Sequence, residues 1–281
     1  MKSLIVNADD FGLHESVNRG IYKAHLQGIV TSTSLMAGGD AFEHAVSLKQ
    51  SCPNLGVGIH LTLVGGRPVA SASQICSLVD GQGFFCAGYP AFLSRFLRGL
   101  IRLADVEREF TAQIEKVKRT GLNPTHLDSH QHLHVLPGIS DLVLRLARRY
   151  SIRAIRIPSE PFFFFGGSFP SIGRVVGRNG LTVLAGYFRH RAASAGVLVT
   201  DHFFGMLAGG QMDESMLRRI IEDMPEGVTE TMVHPGEKDE SLAAKYSWGY
   251  HWDEEMQALC SADVKQALQA QQIRLISFQE L

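Results

Sequence analysis

A parallel α/β barrel is the fold this sequence predicts. Short apolar runs, about eight of them, alternate with helix-period segments, a pattern that favours a barrel over an open sheet. The 281 residues are long for an ordinary domain and usual for one barrel. Acidic and imidazole side chains recur where apolar runs end, which is where a barrel gathers its site. A single barrel-like domain over residues 1–281 is therefore expected. A deformed or incompletely closed barrel would read the same way.

The first run, Leu4–Ala8, stops at Asp9 and Asp10. Val17, Ile21 and Ala24 then share one helical face. Val30–Met36 and Gly56–Leu63 are the next strands. Val106, Phe110, Ile114 and Val117 form a second helical face, ended by Gly121. Further strands are expected at Thr125–Ser129, Ile152–Ile157, Val197–His202, Thr229–Val233 and Ile273–Phe278. The segments "DESMLRRIIEDM" and "SADVKQALQAQQ" each open on a capping residue and read as helices. Two stretches, about 64–100 and 158–196, break the rhythm as insertions. The second begins "PSEPFFFFGGSFP". Insertions of this length on a barrel are often functional loops.

Hydrophobic residues make up 45% and charged residues 20%, so a large core is expected. A net charge of −1 provides no basic field for nucleic acid. Cys52, Cys76, Cys86 and Cys260 are scattered without a CxxC pair, as for free thiols in a reducing compartment. The start "MKSLIVNADD" is too soon acidic for a signal peptide, and no run of about 18 apolar residues predicts a spanning helix. A cytoplasmic location is expected.

The chemistry concentrates at four strand ends. Asp9 and Asp10 close the first strand, and His60 lies late in "GVGIHLTL". The run "THLDSHQHLH" carries His126, Asp128, His130, His132 and His134, and "ETMVHPGE" places His234 at another tip. Alternate residues of a strand share a face, so His126, Asp128 and His130 can point one way. The chain is expected to turn after His130, leaving the directions of His132 and His134 open. So many ionisable groups inside a fold need water, a metal or each other. Asp and His from three strands suit a catalytic metal with open positions; Zn²⁺, Mg²⁺, Mn²⁺, Co²⁺ and Ni²⁺ are not distinguished. One of the adjacent carboxylates would then bind the cation, while its neighbour stays free to accept a proton from water.

These residues carry a resemblance. "LIVNADDFGL", "GIVTSTSLM", "VGIHLTL", "PTHLDSHQHLH" and "VHP" resemble, in order, the motifs of the YdjC-like carbohydrate deacetylases. The resemblance implies a divalent metal used to hydrolyse an N-acetyl group from an amino sugar. It implies Asp10, His60 and His130 as metal ligands, Asp9 as general base and His234 as the acid. "VGIHLTLVGGRPV", "IRAIRIPSEP" and "TDHFFGM" are similar to the hopanoid biosynthesis-associated subgroup. That similarity implies an N-acetylglucosaminyl lipid as substrate.

Arg156 is expected to orient Asp9 or bind a sugar hydroxyl, and Asp201 and His202 to shape the sugar pocket. Phe163 and Phe164, with Phe162, Phe165 and Phe169 nearby, are expected to line an apolar track for a lipid. The expected partner is an N-acetylated amino sugar. A lipid aglycone, peripheral contact with the inner membrane and a homodimer are left open. A deacetylase of soluble chito-oligosaccharides, a metal-dependent phosphoesterase and a non-catalytic sugar-binding module are the rival readings.

Overall fold

The computed structural model describes residues 1–165 and 172–281. Among these described residues eight strands form one sheet: β1 (Lys2–Phe11), β2 (Ser32–Leu35), β3 (Gly56–Leu61), β4 (His126–Ser129), β5 (Ala154–Ile155), β6 (His202–Phe204), β7 (Gly227–Val233) and β8 (Arg274–Leu275). The order is β5-β4-β3-β2-β1-β7-β6, with β8 beside β1, and every ladder is parallel. Parallel neighbours need crossover segments, and helices supply most of them. These are α1 (Glu15–Gln27), α2 (Phe42–Gln50), α3 (Tyr89–Leu97), α4 (Leu103–Arg119) and α5 (Ile139–Arg149) in the first half. The second half has α6 (Ile172–Ser194), α7 (Glu214–Asp223), α8 (Glu240–Lys245), α9 (Trp252–Cys260) and α10 (Ala262–Ala270).

The sheet curls into a deformed barrel. Its two edges approach where Leu198 bridges Ala154 of β5, just before the chain enters β6. The predicted strand Val197–His202 is therefore displaced: the ladder with β7 begins only at His202. The predicted last strand contributes just two residues, which pair with the start of β1 rather than closing the ring.

The helical faces read from spacing are the buried ones. Val17, Ile21, Ala24, Val106, Phe110, Ile114 and Val117 are all fully buried. Gly121 follows the end of α4 with φ +84, a left-handed position natural for glycine. Asp213 caps α7 by accepting the Met216 N–H at 2.8 Å, and Ser261 caps α10 through the Asp263 N–H at 3.1 Å.

The insertions are more ordered than loops. The first holds α3. The second holds the 23-residue helix α6, whose buried Arg178 donates to the carbonyls of Pro161, Phe162 and Phe164 and so gathers the phenylalanine turn. Four consecutive aromatics in extended chain would alternate faces, but here the segment turns. Phe162 and Phe163 are 44% and 91% exposed, whereas Phe164 packs edge-on against Phe204 of β6 at 4.8 Å. Phe169 lies outside the described residues. Among the described residues, no helix is long and apolar enough to cross a membrane.

Candidate active site

Two adjacent aspartates in a regular strand would point to opposite sides. β1 avoids this with a bulge. Ala8 pairs with Thr33 and Phe11 with Leu35, so three steps on β1 oppose two on β2. Asp10 takes up the extra residue at φ +66, a strained position for a residue other than glycine. The bulge re-aims its side chain. His60 Nε2 consequently lies 3.5 Å from Asp10 Oδ1 and 3.9 Å from Asp9 Oδ2.

His130 reaches the same place from β4. Gln131 and His132 both have left-handed backbone, φ 55 and 57, so the chain turns sharply after His130. His130 Nδ1 comes to 3.1 Å from Asp10 Oδ1. Asp10, His60 and His130 thus each offer an atom to one buried cluster that can hold a metal ion, all within 4.8 Å of one another. The donors fit a cation. Asp10 Oδ2 is buried without a hydrogen-bond partner among the described residues. His60 Nδ1 faces Asp128 Oδ1 at 2.9 Å, an arrangement that leaves Nε2 turned toward Asp10, as a ligand requires. Burial disfavours a charged His60, but Asp128, Asp9 and Asp10 outweigh it and hold the imidazolium up to about pH 9. Asp10 is likewise pulled far below the usual carboxylate range: burial opposes this, and His130 and His60 prevail. Such a cluster attracts positive charge, and a proton is the smallest carrier of it.

A second cluster, Asp9, His60 and Asp128, shares His60. Its charge is already compensated. Arg156, fully buried, places Nη1 2.6 Å from Asp9 Oδ2 and 2.8 Å from Asp128 Oδ2, Nη2 2.7 Å from Asp9 Oδ1, and Nε 2.7 Å from Glu230 Oε1. Asn7 Nδ2 adds a donor to Asp9 Oδ1 at 2.8 Å. Glu230 is the third carboxylate on this guanidinium, and burial raises its carboxyl to about 7 despite Arg156.

The other histidines separate. His126 stacks on Phe278 at 3.8 Å and meets the Ser34 hydroxyl at 3.1 Å; Ser34 donates to Asp128 Oδ2 at 2.7 Å. It therefore supports Asp128 rather than joining the cluster, and burial lowers it to about 3. His134 is fixed between the Ser129 hydroxyl and the Arg156 carbonyl. His132 packs edge-on to Phe203. His234 follows β7; its backbone N–H donates to Glu255 Oε2 at 2.5 Å, and its ring lies 4.9 Å from Tyr250. Burial lowers its pKa, with Asp10 and Asp9 opposing, so it is neutral at pH 7.

Asp201 and His202 do not come to this site. They open β6 instead of closing a strand, and there Asp201 accepts the Val228 N–H while His202 meets the Glu226 carbonyl. Both lie beside the start of β7, at the opposite end of the sheet from His234. The expectation that they shape the pocket is corrected. It failed because the strand was placed about five residues too early.

Several site residues escaped the sequence reading. Asn7, Ser34 and Glu230 sit inside strands, and only their polarity in buried runs signals them. Tyr246, Trp248, Tyr250 and Trp252 alternate in "YSWGYHW", a pattern easily taken for a strand. In the structure their rings cluster, with Trp248 5.3 Å from the His130 ring.

Comparison with known proteins gives concordant relatives. A family model described as YdjC-like protein matches residues 3–270. The chain is 36% identical over 279 residues to a carbohydrate deacetylase of Brevibacillus brevis, covering 99% of both chains. It is 34% identical over 278 residues to a carbohydrate deacetylase of Geobacillus stearothermophilus, covering 98% of this chain and 96% of that one. Its fold is similar to a crystal structure from Enterococcus faecalis V583, described as a cellobiose-phosphate cleavage protein, with TM-score 0.79, 26% identity and 99% and 98% of the two chains covered.

Proposed function

The chain belongs to the YdjC-like family, and on that footing we propose that it is a metal-dependent carbohydrate deacetylase acting on an N-acetylated amino sugar. The observation that carries this reading is the buried Asp10–His60–His130 cluster set beside an Asp9 that Arg156 clamps through both oxygens. A divalent ion held by the cluster would supply Lewis-acid polarisation of the amide carbonyl and of a water.

The remaining work falls to the chain's own side chains. Asp9 takes the proton from the attacking water; Oδ2, the oxygen nearer His60, is placed to receive it. Arg156 orients Asp9 and compensates its charge, and Glu230 and Asp128 hold Arg156 in turn. His234 is neutral in the free enzyme. As negative charge develops on the substrate its basicity rises, so it can take up the proton that Asp9 removed from the attacking water and pass that proton to the departing amine. The guanidinium between Asp9 and Asp128 supports a one-metal amide hydrolase over a two-metal phosphoesterase, since it already compensates two of the three groups in the second cluster.

The favoured substrate is an N-acetylglucosaminyl compound, and a lipid-linked one of the hopanoid type gives the exposed Phe162 and Phe163 a role beside β6. Phe164 belongs partly to the core through Phe204, so the lipid track is assigned to Phe162 and Phe163. Soluble chito-oligosaccharides are the alternative. The test is acetate release from N-acetylglucosamine compounds with and without a lipid chain, using protein stripped by chelation and then reloaded with single metals. Acetate release restored by a divalent ion supports the reading; release that survives complete stripping removes the metal from it.

A further inference from the structure

The structure assigns Trp248 as the platform on which the sugar ring carrying the reacting amide rests. This deepens the deacetylase reading and depends on it. The four rings of "YSWGYHW" are held differently. Trp252 is 7% exposed and packs on Gly236, where an added Cβ would lie 2.9 Å from it. Tyr250 lies against Gly210 so closely that a Cβ there would come within 2.1 Å of its ring, and it faces His234. Trp248 is half-buried, as Tyr246 and Tyr250 are, and its ring lies 5.3 Å from His130, 4.9 Å from Tyr246 and 5.4 Å from Tyr250. Two pinned rings thus support one partly open indole beside the metal-ligating cluster.

The segment is anchored well enough to present it. Ser16 donates to Asp239, Arg19 pairs with Glu237 at 2.8 Å, and Lys245 pairs with Asp40. Gly20 of α1 approaches Gly236 so closely that a Cβ would sit 2.3 Å away. These contacts fix the loop to α1 and to the turn that leads into α2. A pyranose presents C–H bonds on its faces and hydroxyls at its rim. An aromatic face attracts the polarised C–H side without demanding a hydrogen bond, and an indole is the largest such face. An amide delivered to Asp10, His60 and His130 brings its own sugar ring next to His130, which is where Trp248 lies.

The protein has two tryptophans, Trp248 and Trp252, and the second is buried. Intrinsic fluorescence titrated with N-acetylglucosamine and its disaccharide therefore reports on Trp248. The wild type should show a saturable change, and W248F should lose it. In acetate-release assays W248A and W248L should raise KM on the order of tenfold or more with a smaller effect on kcat, because stacking is present before and during reaction. W248F should recover much of the KM loss, which a space-filling role alone would not favour over leucine. Should W248A fail to fold, the W248L and W248F pair decides. A wild-type KM in W248L overturns the assignment while leaving the deacetylase intact. A wild type that releases no acetate from these sugars or from a lipid-linked N-acetylglucosamine overturns the deacetylase reading, and the platform with it.

Discussion

The strand-end cluster and the 158–196 insertion invert the usual distribution of residues. In the first, Asp9, Asp10, Asp128, Glu230, Arg156 and His60 are buried. In the second, Phe162, Phe163, Ile172, Val176, Val183 and Tyr187 are exposed. Buried charge is tolerated because each group has an opposite partner: three carboxylates converge on one guanidinium, and two imidazoles meet Asp10. Exposed apolar surface has no such local compensation and keeps its cost for as long as it faces water. The difference teaches that the cluster offsets its cost inside the fold, whereas the insertion leaves its cost at the surface.

Removing Arg156 should break the comparison most severely. Arg156→Met takes the guanidinium from three buried carboxylates, with the His60 imidazolium left facing Asp128 and Asp9, and breaking one buried pair typically costs about 3–5 kcal/mol. The expected result is insoluble protein at neutral pH, or a Tm lowered by roughly 10 °C or more in a thermal scan. An unchanged Tm would show that the network does not hold the charges as described.

Separating base from ligand sharpens the cluster side. Asp9→Asn should retain metal and lose about 10²–10⁴-fold in turnover. Asp10→Asn, His60→Ala and His130→Ala should each lose metal, measured by elemental analysis after dialysis. Swapped phenotypes for the two aspartates would exchange their roles.

The pH dependence of stability tests the claim that a proton stands in for a cation. The folded protein raises His60 from 6.5 to about 9, so its contribution is complete below pH 6.5 and is lost as pH rises through 9. Glu255, raised by burial to about 8, acts with the same sign: its contribution is complete below about pH 4.5 and lost toward 8. Metal-stripped protein should therefore lose several degrees of Tm between pH 6.5 and 9. Saturating divalent ion should remove the His60 part, since it replaces the proton, and leave the Glu255 part. Parallel curves with and without metal would count against the cluster as the binding site.

The smallest effect is expected at the insertion. Phe162→Ser with Phe163→Ser removes exposed rings and should move Tm by about 1 °C or less, as surface changes usually do. It should lower turnover only on a lipid-linked sugar. Phe164→Ser, which removes the contact with Phe204, should lower Tm measurably. Equal losses on soluble and lipid-linked substrates would exclude a lipid track.

Local pattern determined a good deal of this protein. Apolar alternation and helical spacing marked the β/α order and the buried faces of α1 and α4, because burial imposes those periods on any chain that packs them. Clustering of Asp and His at run ends also marked the cluster, since such groups have few other reasons to interrupt buried strands. Tertiary structure alone decided the rest. The bulge at Asp10 depends on how β1 registers with β2, and no residue between Ala8 and Phe11 announces it. The two left-handed residues after His130 separate it from His132 and His134, though all three lie in one motif. Arg156 and Glu230 are distant in sequence and meet only because β7 and the segment after β5 face the same interior. Asp201 and His202 read as a strand end, but the register of β6 against β7 puts them at the other end of the sheet. Periodicity is a property of each segment by itself, whereas register and convergence belong to pairs of segments, and only the folded sheet fixes those.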